Sequence, residues 1–317
     1  MKKTIITTIT LIILFIGAYA LYVFYMNSQP IVCPDGQRMN PVKGECVDAG
    51  FSDDNSDMLD FEKIIFQVPQ SSTKLTLEKN DTGLFTGTYT DAEFPSFKGF
   101  ISLDPKEVTY FDDTIAIVPF FLNSGGTGQF MYVALIDRKT NSHLSSVFVE
   151  DRTTINSVEM SGDKILINYL TRSSSQSFSD FPKIPAQLVL TIKSDELVEF
   201  MRLENATFDQ IELRSPTPQS TIKGDFLIRG AIPGYWYFEA IAGFKIIDQN
   251  LNELVSGQVE ARSDWMTERK VPFEFLQNTG SFSYTGPATL IIESENVQGG
   301  EEGELKVKKM KIPVTID

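Results

Sequence analysis

One histidine, two cysteines and two tryptophans occur in 317 residues. With His143 the sole imidazole, a serine–histidine triad has a single candidate base, and no G-x-S-x-G elbow accompanies it. Two cysteines are too few for a disulfide-dense scaffold, and with one histidine they do not complete the four-ligand set of a structural zinc site. Positive charge is also scarce: 28 Lys and Arg face 42 Asp and Glu, a net charge of −14. Lys2 and Lys3 are the only charges among the first 27 residues, so the remainder carries −16. A surface that acidic repels polyphosphate, which argues against nucleic acid as a partner. No cofactor motif is present. Asn123-Ser124-Gly125-Gly126-Thr127-Gly128 has neither the P-loop lysine nor a helical pattern after it, and reads as a turn between strands.

Against these deficits stands one long apolar run. Thr4 to Met26 holds 23 residues without a charge, which as a helix at about 1.5 Å per residue exceeds the roughly 30 Å hydrocarbon core. Lys2 and Lys3 precede it and no basic residue follows until Arg38, so the positive-inside rule places the N-terminus in the cytoplasm and the rest outside. Tyr19, Tyr22 and Tyr25 suit the distal headgroup layer. The expectation is a signal anchor over 1–27, a single-pass transmembrane helix in the cytoplasmic membrane. Ala18-Tyr19-Ala20 offers a cleavage site, but Leu21 to Tyr25 continues the apolar run beyond it. Pro30-Ile31-Val32 before Cys33 lacks the small residue of a lipoprotein signal. Either outcome exports the chain.

Residues 28–57 read as a stalk and acidic linker. Cys33 and Cys46 flank the turn formers Pro34-Asp35-Gly36 and Asn40-Pro41. In an oxidising compartment they are expected to form a disulfide, worth about 3 kcal/mol in the chain-entropy model. Asp53, Asn55 and Asp57 mimic the first ligands of a calcium loop, but Met58 stands where its glycine belongs and Ile64 where its glutamate belongs.

Residues 58–203 have the texture of a β-rich domain. Phe61 to Val68 reads as a short helix or a strand; Ile115–Leu122, Phe130–Ile136, Ser146–Val149, Lys164–Leu170 and Gln187–Ile192 read as strands. Asp112-Asp113 and Glu150-Asp151-Arg152 are the charged clusters. Paired acids suit general acid–base work, so a cell-wall hydrolase using Asp112, Asp113 or Asp151 is the alternative function. Neighbours on a strand point to opposite faces, however, and an Asp151–Arg152 network or a turn cap is the simpler reading. His143 sits in a polar stretch, Lys139 to His143, and is expected to be exposed.

From 207 to 317, strand candidates recur at Phe208–Leu213, Phe226–Gly230, Phe238–Ile247, Leu254–Ala261, Pro272–Gln277, Ala288–Glu293 and Lys306–Ile316, separated by turn signals such as Pro233-Gly234 and Asn250-Leu251-Asn252. Short strands with no helical period between them fit an immunoglobulin-like β-sandwich. Tyr235-Trp236-Tyr237-Phe238 is the densest aromatic stretch, and alternation buries two rings and exposes two. Trp236, Phe238 and Trp265 are the candidate partner-binding residues, for an envelope protein or a cell-wall glycan. Lys306, Lys308, Lys309 and Lys311 read as guards of a sheet edge, or as a contact for anionic polymers.

Ser215-Pro216, Ile228-Arg229-Gly230-Ala231 and Tyr237-Phe238-Glu239-Ala240, followed by Asp248, Ala261, Trp265-Met266-Thr267, Phe273 and Ile312-Pro313-Val314, resemble the immunoglobulin-like domain of bacterial spore germination proteins. The resemblance covers about a third of the chain. It implies an extracytoplasmic sandwich of the kind appended to other envelope domains, and brings no catalytic residues. Asn250-Leu251-Asn252 departs from the family's Asn/Asp-Gly turn. Gly125 to Phe130, Asp151-Arg152 and Phe181-Pro182 weakly resemble an uncharacterised region of exported bacterial proteins. Together these readings describe a mainly β, membrane-anchored envelope protein with a non-catalytic interaction ectodomain.

Overall fold

Apolar and β-branched runs between turn residues fold into strands throughout a computed structural model, which describes residues 37–40, 45–48, 59–90, 98–173, 176–177, 180–277, 280, 282–295, 299 and 303–317. The expected anchor, Thr4–Met26, lies outside the described residues; among these, no helix is long and apolar enough to cross a membrane. The chain divides into two units, Met1–Asn55 and Ser56–Asp317. In the first, β1 (Gln37–Asn40) and β2 (Glu45–Asp48) form an antiparallel ribbon with Met39 opposite Cys46. Cys33 lies outside the described residues, and the expected disulfide with it.

The second unit begins with a small hairpin, β3 (Phe66–Gln67) and β4 (Lys74–Leu75). An antiparallel sheet follows, built from β5 (Glu78–Lys79), β6 (Phe85–Thr90), β7 (Lys98–Leu103), β8 (Thr109–Tyr110), β9 (Ile115–Asn123), β10 (Phe130–Asp137) and β11 (Ser142–Asp151). Its order is β11-β10-β9-β7-β6-β5, with β8 against β9. The long runs of β9 and β10 are apolar on both faces because both faces are covered. Val118, Phe120, Tyr132 and Ala134 pack under Leu59, Phe61, Ile64, Phe66 and Leu77. Ile117, Met131, Val133 and Leu135 face the second sheet's Ile165, Ile167, Leu188 and Leu190.

That second sheet contains β12 (Ile155–Ser161), β13 (Lys164–Thr171), β14 (Ile184–Lys193), β15 (Glu196–Glu204), β16 (Glu212–Ser215), β17 (Thr221–Ile222), β18 (Phe226–Pro233), β19 (Ile241–Asp248), β20 (Glu253–Ala261), β21 (Lys270–Gln277), β22 (Gly286–Glu293) and β23 (Lys309–Ile316). The order is β12-β13-β14-β15-β23-β22-β19-β20-β21-β18-β16, with β17 parallel to β23. At its far end the sheet folds back on itself. Only two residue pairs, Glu260–Glu274 and Ala261–Phe273, join β20 to β21. Phe244, Ile246, Leu290 and Ile312 on one side and Ile228, Ile232, Val271 and Phe273 on the other share one core.

The middle and C-terminal regions are continuous. Residues 202–204 of β15 pair with 311–309 of β23, and Val189, Met201 and Leu203 join the C-terminal core. Arg202 also ties the two sheets: its guanidinium donates to the carbonyls of Val149 (2.6 Å) and Phe148 (2.7 Å) on β11 and to Glu199 (2.9 Å).

Four local expectations change. Phe208–Gln210 is a 3-10 turn, closed by a capping box between Thr207 and Gln210, and β16 starts after it. Phe61–Lys63 is a turn, which leaves a two-residue strand at Phe66–Gln67. Of the four lysines expected on the last strand, only Lys309 and Lys311 are in β23, and that strand is internal, not an edge, because β15 and β22 flank it. His143 is in β11 opposite Ile136, half-buried rather than exposed, because the 64–68 segment packs over it. Its ring centroid lies 5.3 Å from that of Phe66, Nδ1 accepts the Gln67 N–H at 2.9 Å, and Nε2 lies 3.1 Å from the Ser145 carbonyl. Burial lowers its pKa to about 4.

Candidate functional site

Pro233-Gly234 ends β18 and starts a 3-10 turn over Gly234–Trp236, closed by the Tyr237 N–H on the Gly234 carbonyl at 3.1 Å. The turn is pressed against the 265–269 loop, where the Gly234 N–H donates to the Arg269 carbonyl at 3.0 Å. A Cβ on Gly234 would lie 2.1 Å from the Trp265 carbonyl and 2.2 Å from that of Thr267, so glycine alone allows the approach.

The turn fixes where four aromatic rings go. Trp236 is 1% exposed and Tyr237 4%, while Tyr235 is 45% and Phe238 44% exposed. Two rings are buried and two exposed, but the buried pair is adjacent, because turn residues do not alternate as strand residues do. The Tyr237 hydroxyl donates to the Val271 carbonyl at 3.1 Å. Of the three residues expected at a partner face, Trp236 is interior and Trp265 is half-buried against the core, so no exposed tryptophan pair forms. Phe238 presents its ring to solvent.

Tyr235 is the aromatic group that stands over a cleft. On one side lies a shallow cavity of about 390 Å³ lined by Asn156, Asn168, Gln187, Asn205 and Gln210 among others. Among the described residues, no charged side chain lines it. On the other side a second cavity of about 460 Å³ shares Tyr235 and Gln210 and adds Asp209, Glu268, Arg269 and Lys270. Burial, then the charges of Asp209 and Glu268, push the Tyr235 hydroxyl pKa up. The Lys308 ammonium sits over the ring, 5.2 Å from its centroid. Burial lowers the pKa of that ammonium.

Three amides of the floor, Asn168, Gln187 and Asn205, are held in place. Asn168 donates to Ser157 Oγ at 2.8 Å and to Glu159 Oε1 at 3.1 Å, Gln187 donates to Asn168 Oδ1 at 2.8 Å, and the Phe208 N–H donates to Gln187 Oε1 at 2.8 Å. This chain crosses β12, β13 and β14 and holds the Phe208–Gln210 turn at the rim. Asn205 donates to the Leu305 and Val307 carbonyls, each at 2.9 Å. Among the described residues, no protein group bonds the Asn156 amide, Asn205 Oδ1 or Gln210 Nε2. The smaller cavity therefore offers hydrogen-bond donors, acceptors and one ring face, and the adjoining one adds charged groups of both signs.

The acids that suggested hydrolysis are elsewhere, and Asp151 is far from Asp112 and Asp113. Asp112 caps a turn, accepting the N–H groups of Thr114 (2.6 Å) and Ile115 (2.9 Å), while Asp113 is exposed. Asp151 accepts the Gln129 N–H at 2.9 Å and pairs with Arg152 at 3.0 Å. Asp112 precedes Ile115, whose partner on β10 is Asp137, whereas Asp151 lies opposite Phe130 at the other end of β10. Seven strand residues at about 3.3 Å each put them roughly 23 Å apart, and glycoside hydrolysis requires carboxylates within about 10 Å. Asp112 and Asp151 cannot serve as that pair. Asn123–Gly128 is a turn between β9 and β10, with Asn123 Oδ1 on the Gly125 N–H at 2.7 Å.

Sequence reasoning missed Tyr235 and the amides. Pro233-Gly234 was the available signal, since a turn there cancels the strand alternation that singled out Phe238. The amides lie on separate strands, and nothing local in sequence joins them. Comparison with protein-family models, curated proteins and solved structures finds no match for this chain.

Proposed function

We propose that this chain is a membrane-tethered envelope protein whose exported, non-catalytic ectodomain binds a partner through the cleft beneath Tyr235. The observation that carries the reading is the pairing of an exposed, braced tyrosine with a floor of carboxamides, three of them held by hydrogen bonds, a concave site with a few convergent polar groups. The uncharged run Thr4–Met26 behind Lys2-Lys3 supports the tether, and the turn-rich stretch between Cys33 and Cys46 supports a disulfide-closed stalk outside the membrane. The folded-back β16–β23 portion around one core supports the immunoglobulin-like sandwich.

The test is retention of envelope material. Full-length protein, solubilised and immobilised, is expected to hold envelope components that the Tyr235→Ala variant loses. Equal retention by both proteins removes the cleft from the function.

A further inference from the structure

We infer that the cleft under Tyr235 takes an uncharged pyranose ring of a glycan, stacked on the tyrosine with its hydroxyls on the amides. This deepens the binding reading above and rests on it. The first ground is charge. Outside the anchor the chain carries −16, yet Asn156, Asn168, Gln187 and Asn205 line the smaller cavity of the cleft with no charged lining residue among the described ones, the Glu159 carboxylate beside Asn168 being engaged by that amide at 3.1 Å. A site without a counter-charge gives no advantage to an ion that must shed water to enter.

The second ground is hydrogen-bond chemistry. A carboxamide presents both donors and acceptors, and a sugar hydroxyl is likewise both, so the two match in either direction. The Asn156 amide, Gln210 Nε2 and Asn205 Oδ1 have no bond from a described protein group, and all line the cavity with Tyr235. The remaining amides are tied to one another and to backbone, so binding does not require ordering them.

The third ground is the ring. Tyr235 is 45% exposed, fixed by the Gly234 turn and covered on one side by Lys308, which leaves an aromatic surface for the apolar face of a pyranose. At about 390 Å³ the cleft falls within the roughly 300–1,000 Å³ of small-ligand sites. The adjoining cavity continues past Tyr235 and Gln210 to side chains of both signs, Asp209 and Glu268 against Arg269 and Lys270. A chain of sugars thus has room to run on, with its substituents meeting polar groups of either charge.

The experiment titrates full-length protein, in a detergent without a sugar headgroup, with the tetramer of N-acetylglucosamine and separately with a polyol phosphate. Binding is read by calorimetry and by tryptophan emission, to which Trp236, the neighbour of Tyr235, and Trp265 both contribute. The tetramer is expected to bind. Tyr235→Ala should weaken it by about tenfold, the size of one lost aromatic stack, while Tyr235→Phe stays within a few-fold. Gln210→Ala should weaken it severalfold. Circular dichroism and thermal unfolding of each variant separate a lost site from a lost fold. Failure of the tetramer to bind, preference for the polyol phosphate, or a Tyr235→Ala variant that binds as well as the parent each overturns the glycan assignment. If the tetramer fails while retention of envelope material still depends on Tyr235, the ligand class falls and the binding reading stands; if retention does not depend on Tyr235, both fall.

Discussion

The Glu204 carboxylate, 4% exposed, takes the Lys311 ammonium across the β15–β23 ladder. Lys309 approaches its other oxygen at 3.5 Å. One buried acid thus answers two of the four lysines near the C-terminal strand, and it does so at the seam joining the middle and C-terminal regions. Replacing it with an amide keeps the shape and removes the charge. Glu204→Gln is expected to destabilise the protein by about 2–3 kcal/mol, since two half-buried ammoniums lose their partner. Urea unfolding followed by tryptophan emission checks this; an unchanged midpoint would show that the lysines reach water unaided.

His143 predicts a pH dependence of known sign. The imidazole is neutral in the fold, accepting at Nδ1 from Gln67 and facing the Ser145 carbonyl with Nε2, and burial lowers its pKa to about 4 from 6.5. The unfolded chain binds this proton more readily, so stability rises with pH across this window and is lost as pH falls from about 6.5 through 4. The loss amounts to about 3 kcal/mol at the acid end. At Asp112 and Asp137 burial opposes the charge, but bonds from Thr114, Ile115, Thr140 and Lys139 outweigh it and hold the carboxyls below their ordinary 3.8; their contributions fade only at still lower pH. Glu107, raised by burial and by Asp104, acts weakly in the opposite direction. Denaturant unfolding from pH 7 to 4 should show the slope in the parent and not in His143→Gln.

Strand content, the two apolar runs of β9 and β10 and the turn at Asn123–Gly128 were legible because periodicity and turn residues are local signals. The internal place of the lysine strand was not. It depends on β15 pairing with a strand more than 100 positions later, a contact that no local pattern encodes. His143 was misread for a similar reason: its neighbours in sequence are polar, but its neighbours in space are Phe66 and Phe120. At the site, the aromatic stretch itself was visible and the exposed ring was not, because Gly234 turns the chain where alternation assumes it runs straight.

The β19–β20 hairpin holds its turn without the expected glycine. Asp248 Oδ1 accepts the N–H groups of Asn250 (2.7 Å) and Asn252 (2.8 Å), and Oδ2 accepts the Asn252 amide at 2.9 Å. The carboxylate organises the turn and leaves Leu251 at φ +64°, 77% exposed. A left-handed conformation costs a non-glycine residue about 1–2 kcal/mol, and an exposed leucine gains little by packing. Leu251→Gly is therefore expected to stabilise the protein by about 1 kcal/mol, offset in part by the freedom glycine gains in the unfolded chain. A rise in thermal midpoint supports the account. A fall would mean that the leucine makes contacts that outweigh its strain.

Gly234 offers the sharpest separation between fold and site. Its substitution by alanine places a methyl within 2.2 Å of two carbonyl oxygens, those of Trp265 and Thr267, and neither is the loose end of a side chain. The 265–269 loop must retreat or the 3-10 turn must open, at a cost of about 1–3 kcal/mol for overpacking. Either movement carries Tyr235, the next residue, away from the amide floor, and loosens Trp236, which is 1% exposed and fully packed. Gly234→Ala should lower the thermal midpoint, shift tryptophan emission to the red and weaken retention of envelope material together. Tyr235→Ala, whose ring is nearly half exposed, should weaken retention with the midpoint almost unchanged. If Gly234→Ala instead leaves emission and midpoint untouched, the turn is not held by this contact, and the placement of Tyr235 must come from elsewhere in the 265–269 loop.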